Sequence, residues 1–86
     1  MELIITSAIQ GREVCDHLHV ELTQISYNPD LKKMLKNIEQ MVRELSQKEV
    51  KCRQSTTKHS LVEPIAKINN SVIHLSNLIL IARLME

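Results

Sequence analysis

Apolar residues recur at alternating steps of four and three residues in three separate stretches of this 86-residue chain. Steps that average about 3.5 residues keep side chains on one face of an α-helix, and they are typical of helices that pack nearly parallel or antiparallel. The three stripes are Ile4, Ala8, Gly11, Cys15, Leu18, Leu22 and Ile25; Leu31, Leu35, Ile38, Val42 and Leu45; and Leu61, Ile65, Ile68, Val72, Leu75, Ile79 and Ala82. The pattern predicts three amphipathic helices.

Turn-forming residues are scarce, with one glycine and two prolines, so the chain must consist of a few long elements. Asn28 is a favourable N-cap and Pro29 suits the first position of a helix, so a second helix should begin there and form an antiparallel hairpin with the first. Residues 54–60 are polar and indicate a loop, after which the third helix starts either with Ser60 as its cap or at Pro64. We predict one all-α domain over residues 1–86, a three-helix antiparallel hairpin or bundle with coiled-coil-like packing and helices at about 2–27, 29–54 and 61–85.

The apolar residues are almost all aliphatic: eleven Leu, ten Ile, six Val and four Met stand against one Tyr and no Phe or Trp. Aliphatic side chains pack helix interfaces, but they cannot stack on bases, flavins or sugars. The sequence also contains no glycine-rich phosphate loop, nucleophile elbow or paired-cysteine zinc motif. We therefore expect a protein that is not an enzyme and that needs no cofactor.

Four soft or borderline ligands are the best candidates for a zinc site: Cys15 and His19, one helical turn apart, with Cys52 and His59. Both cysteines continue apolar stripes, where a free cysteine behaves as a small hydrophobic residue. We therefore predict core cysteines and no metal. Because the amino end carries no secretory signal, free thiols and a cytoplasmic location are expected.

The formal net charge is only +1, but the charges are unevenly distributed. Residues 1–30 carry five acids and one base, whereas residues 31–58 carry eight bases and three acids, which favours an acidic helix beside a basic one. The alternative is weak nucleic-acid binding through Lys32, Lys33 and Lys36 at the start of the second helix, where phosphate is favoured. Without aromatic residues or an arginine cluster, nucleic acid is not the expected partner. No apolar stretch reaches the roughly 18–20 residues that span a bilayer, so no membrane association is expected.

The third helix carries more apolar surface than one stripe can use. Opposite its stripe lie four further aliphatic residues with polar Asn77 between them, namely Ile73, Leu80, Ile81 and Leu84. Three short helices cannot surround one of their own members, and an exposed aliphatic patch marks an association surface. The sequence therefore predicts a protein–protein interaction module, a small subunit or adaptor of a larger helical assembly, which binds a second copy or a helical partner through these four residues.

Residues 59–84, from His-Ser-Leu-Val-Glu-Pro-Ile-Ala to Ile-Ala-Arg-Leu, resemble the closing helix of the needle-subunit co-chaperones of bacterial type III secretion. The resemblance covers less than a third of the chain and rests on aliphatic periodicity, and the longer middle helix departs from that family's pattern. It implies an alternative function, that of a small chaperone which shields an aggregation-prone helix of its partner.

Overall fold

The chain folds as an all-α three-helix bundle, as the three stripes predicted. The computed structural model describes residues 5–54 and 61–86. The helices are α1 (Ala8–Thr23), α2 (Pro29–Gln54) and α3 (Val62–Leu84), and the bundle measures 52 × 20 × 17 Å along its principal axes. The central helix α2 packs against both neighbours, whereas α1 and α3 contact each other at fewer points.

Apart from Ile5, which no stripe predicted, the core is built from the predicted stripes. Its buried apolar residues are Ile5, Ala8, Cys15, Leu18, Ile25, Leu31, Leu35, Ile38, Val42, Leu45, Ile68, Val72, Leu75 and Ile79. Four other stripe members, Leu22, Leu61, Ile65 and Ala82, are half-buried and pack against this core. The four-three spacing therefore identified the inward face of each helix.

The boundary between α1 and α2 forms as the sequence predicted. The Asn28 side-chain oxygen accepts hydrogen bonds from the backbone N–H of Asp30 at 3.1 Å and of Leu31 at 3.2 Å. Pro29 occupies the first helical position, where its missing N–H has no partner to lose. Asn28 therefore caps α2.

Helix α1 is shorter than the predicted range of about 2–27. It begins at Ala8, because the Ser7 hydroxyl caps it by accepting from the Gln10 N–H and the Glu49 carboxylate of α2 accepts from the Ala8 N–H at 3.1 Å. Glu49 is the residue that interrupts the apolar stripe of α2, so a polar contact with α1 replaces core packing there. At its other end α1 stops at Thr23, and Ile25 reaches the core from non-helical backbone.

The segment before α1 enters the core in extended form rather than as a helical turn. Ile5 is fully buried, and its N–H donates to the Asn69 side-chain oxygen at 2.8 Å. The Asn69 amide nitrogen donates in turn to the carbonyls of Ile5 at 2.9 Å and Ile65 at 3.0 Å. Because buried backbone groups need hydrogen-bond partners, Asn69 is what allows this backbone to lie against α3. The predicted stripe position Ile4 lies outside the described residues.

Helix α3 starts at Val62 rather than at Pro64, and its cap position, Leu61, makes no side-chain cap hydrogen bond. Pro64 is then the third helical residue, where an N–H would still have no partner inside the helix. The alternative cap Ser60 and most of the predicted loop over 54–60 lie outside the described residues.

Gly11 allows α1 and α2 to approach closely. A Cβ atom built on Gly11 would lie 2.8 Å from Cγ2 and 3.2 Å from Cγ1 of Val42, which is buried in α2. A residue without a side chain at this position of the first stripe therefore lets the neighbouring helix come close.

Candidate functional site

Helix α3 has two opposite apolar faces, of which the bundle covers one. Its inward residues Ile68, Val72, Leu75 and Ile79 are almost completely buried. On the opposite side the exposed fractions are 50% for Ile73, 57% for Leu80, 51% for Ile81 and 80% for Leu84. The four residues predicted to bind a partner are therefore at the surface, and their binding role stays a prediction. We call these four residues the outer face.

The outer face is not a single line. Ile73 and Leu80 are seven residues apart, which places them about 10.5 Å apart on the same side of the helix, and Leu84 follows one turn later. Ile81 lies roughly 100° further round the helix axis than Leu80. Exposed Asn77 lies between Ile73 and Leu80.

The apolar side of α3 extends beyond the predicted residues. Val62 and Ala66 are exposed at the start of the helix, and Met85 is largely exposed just after its end. Sequence reasoning missed all three. Counting backwards from Ile73 by seven residues gives Ala66, and four more give Val62, so the same spacing could have found these two.

The charged side chains of α3 are engaged in polar contacts. The helix contains three of them, Glu63, Lys67 and Arg83. Glu63 and Lys67 form an exposed ion pair at 4.0 Å, and Arg83 donates to the Gln24 side-chain oxygen at 2.7 Å. Arg83 also lines a groove together with Asn77 and Leu80, so a partner on this side would lie next to its guanidinium group.

Polar contacts join α3 to the residues that flank α1. Asn69, in the amino-terminal half of α3, binds the Ile5 backbone, and Arg83, near its carboxyl end, donates to Gln24. The Ser26 backbone N–H also donates to the Glu86 carboxylate, and hydrogen bonds from the Ser26 side chain and backbone lower the pKa of Glu86. These contacts hold α3 in place while its outer face remains exposed.

The candidate zinc ligands do not form a site in the described part of the chain. Cys15 is buried in the core as predicted, and burial, followed by the charges of Glu39 and Asp16, raises its pKa to about 11. His19 is exposed, and Cys52 is half-buried. No group of three or more His, Cys, Asp or Glu side chains among the described residues could hold a metal ion, and His59 lies outside them.

The basic residues at the start of α2 lie beside a groove. Lys32, Lys36 and Arg43 line this groove between α1 and α2, in which Glu39 also lies, whereas Lys33 does not line it. The Lys32 ammonium lies 5.3 Å from the centre of the Tyr27 ring. Phosphate binding by the three lysines stays a prediction.

By length and composition alone, α3 could cross a membrane. It has 23 residues, and one 18-residue window within it has a mean hydropathy of 1.2. The bundle buries 22% of that window. The expectation that no segment meets these criteria was therefore wrong. The core helix of a globular protein passes the same test, and α3 supplies four core residues.

No protein-family model, curated protein or solved structure matches this chain. The outer face is distinguished by the burial, spacing and charge of the chain's own residues.

Proposed function

We propose that this chain is a non-catalytic protein–protein interaction module, a small helical subunit or adaptor that binds a helical partner through the outer face of α3. The observation that supports the proposal is the pair of apolar faces on α3, only one of which is covered by α1 and α2. Exposed apolar surface costs about 25 cal/mol per Å², and a partner that covers it recovers that free energy.

The spacing of the outer face suits a helix as the partner. Ile73, Leu80 and Leu84 follow each other at steps of seven and four residues, the spacing by which one helix packs its side chains between those of another. Asn77 offers hydrogen-bond donors and an acceptor in the middle of this side. A buried polar pair at such a position fixes the register of two helices at a cost in stability.

Hydrogen bonds also anchor α3 to the rest of the bundle before any partner binds. The contacts of Asn69 with Ile5 and of Arg83 with Gln24 fix α3 against the α1 segment. Binding then needs little ordering of the main chain, which lowers its entropic cost.

The proposal is tested with a variant that carries Ile73→Glu, Leu80→Lys and Leu84→Glu. These side chains are at least half exposed, so the bundle should keep its helicity by circular dichroism. The variant should lose the protein that copurifies with the wild-type chain from its host, or the self-association seen by light scattering.

The matched control places charges on aliphatic residues of other helices. Val20 in α1 and Val50 in α2 expose 56% and 48% of their surface, close to the values for Leu80 and Ile73. Val20→Lys with Val50→Glu should leave association unchanged. If the outer-face variant keeps every associated protein and the wild-type mass, or if the control loses as much, the proposed function is wrong.

A further inference from the structure

Seven residues along one side of α3 are spaced symmetrically, so that the steps between them are the same from either end of the helix. Its members are Val62, Ala66, Asn69, Ile73, Asn77, Leu80 and Leu84, which we call the outer seam. Successive steps are four, three, four, four, three and four residues. Ile73 is both the centre of this series and the midpoint of Val62–Leu84. Two positions equally far before and after Ile73 are therefore rotated from it by the same angle around the helix axis, in opposite directions.

The chemistry of the outer seam has the same symmetry as its spacing. The centre of the seam is Ile73, and an asparagine lies four residues away on each side of it. Each end of the seam is an aliphatic pair, Val62 with Ala66 at one end and Leu80 with Leu84 at the other. Reversing the helix about Ile73 places Asn69 level with Asn77. It also places the small Ala66 level with the larger Leu80, and small-to-large pairing lets two helices interdigitate.

We propose that two copies of this chain pair through the outer seam, with their α3 helices antiparallel about a two-fold axis at Ile73. This inference rests on the proposed function and names the helical partner as a second copy. In a two-fold interface each surface patch contacts its own copy, so the patch must be complementary to itself after reversal. The outer seam meets this requirement in spacing, polarity and side-chain size.

The charges of α3 also favour a second copy. The outer seam contains no charged residue, and Glu63, Lys67 and Arg83 each lie about 80° or more round the helix from Ile73. A seam without charge carries no self-repulsion when it meets its own copy. The seam residues themselves offer no charge for a partner to pair with, and the charges nearest to Leu80 are Glu21 and Arg83 at its edge.

The polar positions of the outer seam can be satisfied across the two-fold axis. Both amide protons of Asn69 are already donated, to the carbonyls of Ile5 and Ile65, and its oxygen accepts one hydrogen bond from the Ile5 N–H. A carbonyl oxygen has two lone pairs, so it can accept a second hydrogen bond from the amide of Asn77 in the other copy. Among antiparallel pairs, an axis at Ile73 is the one that places Asn69 of one copy against Asn77 of the other.

The exposed apolar surface is large enough for such a pair. A standard interface buries about 800 Å² on each partner, of which a little over half is apolar. The large aliphatic residues of and around α3 that expose half or more of their surface are Val62, Ile73, Leu80, Ile81, Leu84 and Met85. The largest apolar patch on a typical monomer measures about 300–600 Å². Four of these six residues, Val62, Ile73, Leu80 and Leu84, belong to the outer seam, and Ile81 and Met85 flank it. The helix also spans just over three heptads, close to the minimum for a coiled-coil pair.

The two-fold axis is tested by charge substitutions at its centre, followed by sedimentation equilibrium of the full chain. Ile73→Glu and Ile73→Lys should each raise the dissociation constant of the dimer about a hundredfold or more, because like charges then face each other. An equal mixture of the two variants should restore dimers that contain one copy of each. A two-fold axis at Ile73 brings these two side chains together, and so does a parallel in-register pair. Ala66→Lys with Leu80→Glu separates the two arrangements, because position 66 meets position 80 only in the antiparallel pair.

Val50 provides the matched control, because it is a β-branched aliphatic residue like Ile73, is exposed to 48% against 50% for Ile73, and lies on α2, outside the outer face. Val50→Glu should change the dissociation constant less than about tenfold. Should the Ile73 variants lose helicity, Ala66→Lys and Leu80→Glu test the same register. Each alone should weaken the dimer, and the two combined in one chain should restore it, because position 66 meets position 80 of the other copy.

A wild-type chain that stays monomeric at all accessible concentrations would overturn the inference, and so would Ile73 variants whose mixture forms no mixed dimer. If the wild-type monomer still binds a host protein that the outer-face variant loses, the two-fold pair is wrong and the proposed function stands. If neither self-association nor host binding depends on α3, both are wrong.

Discussion

Replacing Gly11 with alanine measures how closely α1 and α2 pack. The new Cβ would lie 2.8 Å from Cγ2 of Val42, a distance that requires one of the two helices or the valine to move. Val42 is buried and β-branched, so it has little rotamer freedom, and overpacking of this kind costs about 1–3 kcal/mol. Alanine recovers about 1 kcal/mol of helix propensity. We expect a net loss of about 1 kcal/mol in the free energy of unfolding, measured by urea denaturation followed by circular dichroism.

A double-mutant cycle separates these two effects. Val42→Ala alone should cost about 2 kcal/mol, at the low end of the range for a deleted core side chain. In that background the new methyl group has no close neighbour from Val42, so Gly11→Ala should stabilise the chain by up to about 1 kcal/mol. The sign of the Gly11→Ala effect should therefore reverse between the two backgrounds. Stabilisation by the same amount in both would refute the close approach.

Three further perturbations have expected outcomes. Leu75→Asp places an unpaired charge in the core and should cost several kcal/mol, comparable with the stability of a small domain, so circular dichroism should show unfolding. Asn69→Ala leaves the N–H and carbonyl of Ile5 without their partners and should lower the free energy of unfolding by about 2 kcal/mol. Amide hydrogen exchange at Ile5 should become faster, and unchanged exchange there would contradict this role of Asn69. Burial raises the pKa of Cys15 from 9.0 to about 11. Between these two pH values the Cys15 thiol is therefore protonated in the folded chain and ionised in the unfolded chain. The free energy of unfolding should therefore fall between pH 9 and pH 11 by about 1.4 kcal/mol per pH unit, and Cys15→Ala should abolish that slope whereas Cys52→Ala should not.

The sequence by itself determined the number of helices, their inward faces and the start of α2. These features depend on local rules: the four-three spacing selects the buried side of each helix, and Asn28 with Pro29 caps α2 through residues within a single turn. It also identified Cys15 as a core residue, and it placed Ile73, Leu80, Ile81 and Leu84 on the side of α3 away from the core.

The tertiary structure decided where α1 begins and how far the apolar side of α3 extends. The start of α1 depends on Glu49, 41 residues away from Ala8, and the extended segment before it depends on Asn69, 64 residues away from Ile5. Neither contact leaves a periodic signal, because each joins one polar side chain to one backbone group. The exposure of Val62 and Ala66 likewise follows from which side of α3 its neighbours cover. Local periodicity specifies the faces of helices, whereas their ends and their uncovered surfaces depend on which distant residues the packing brings into contact.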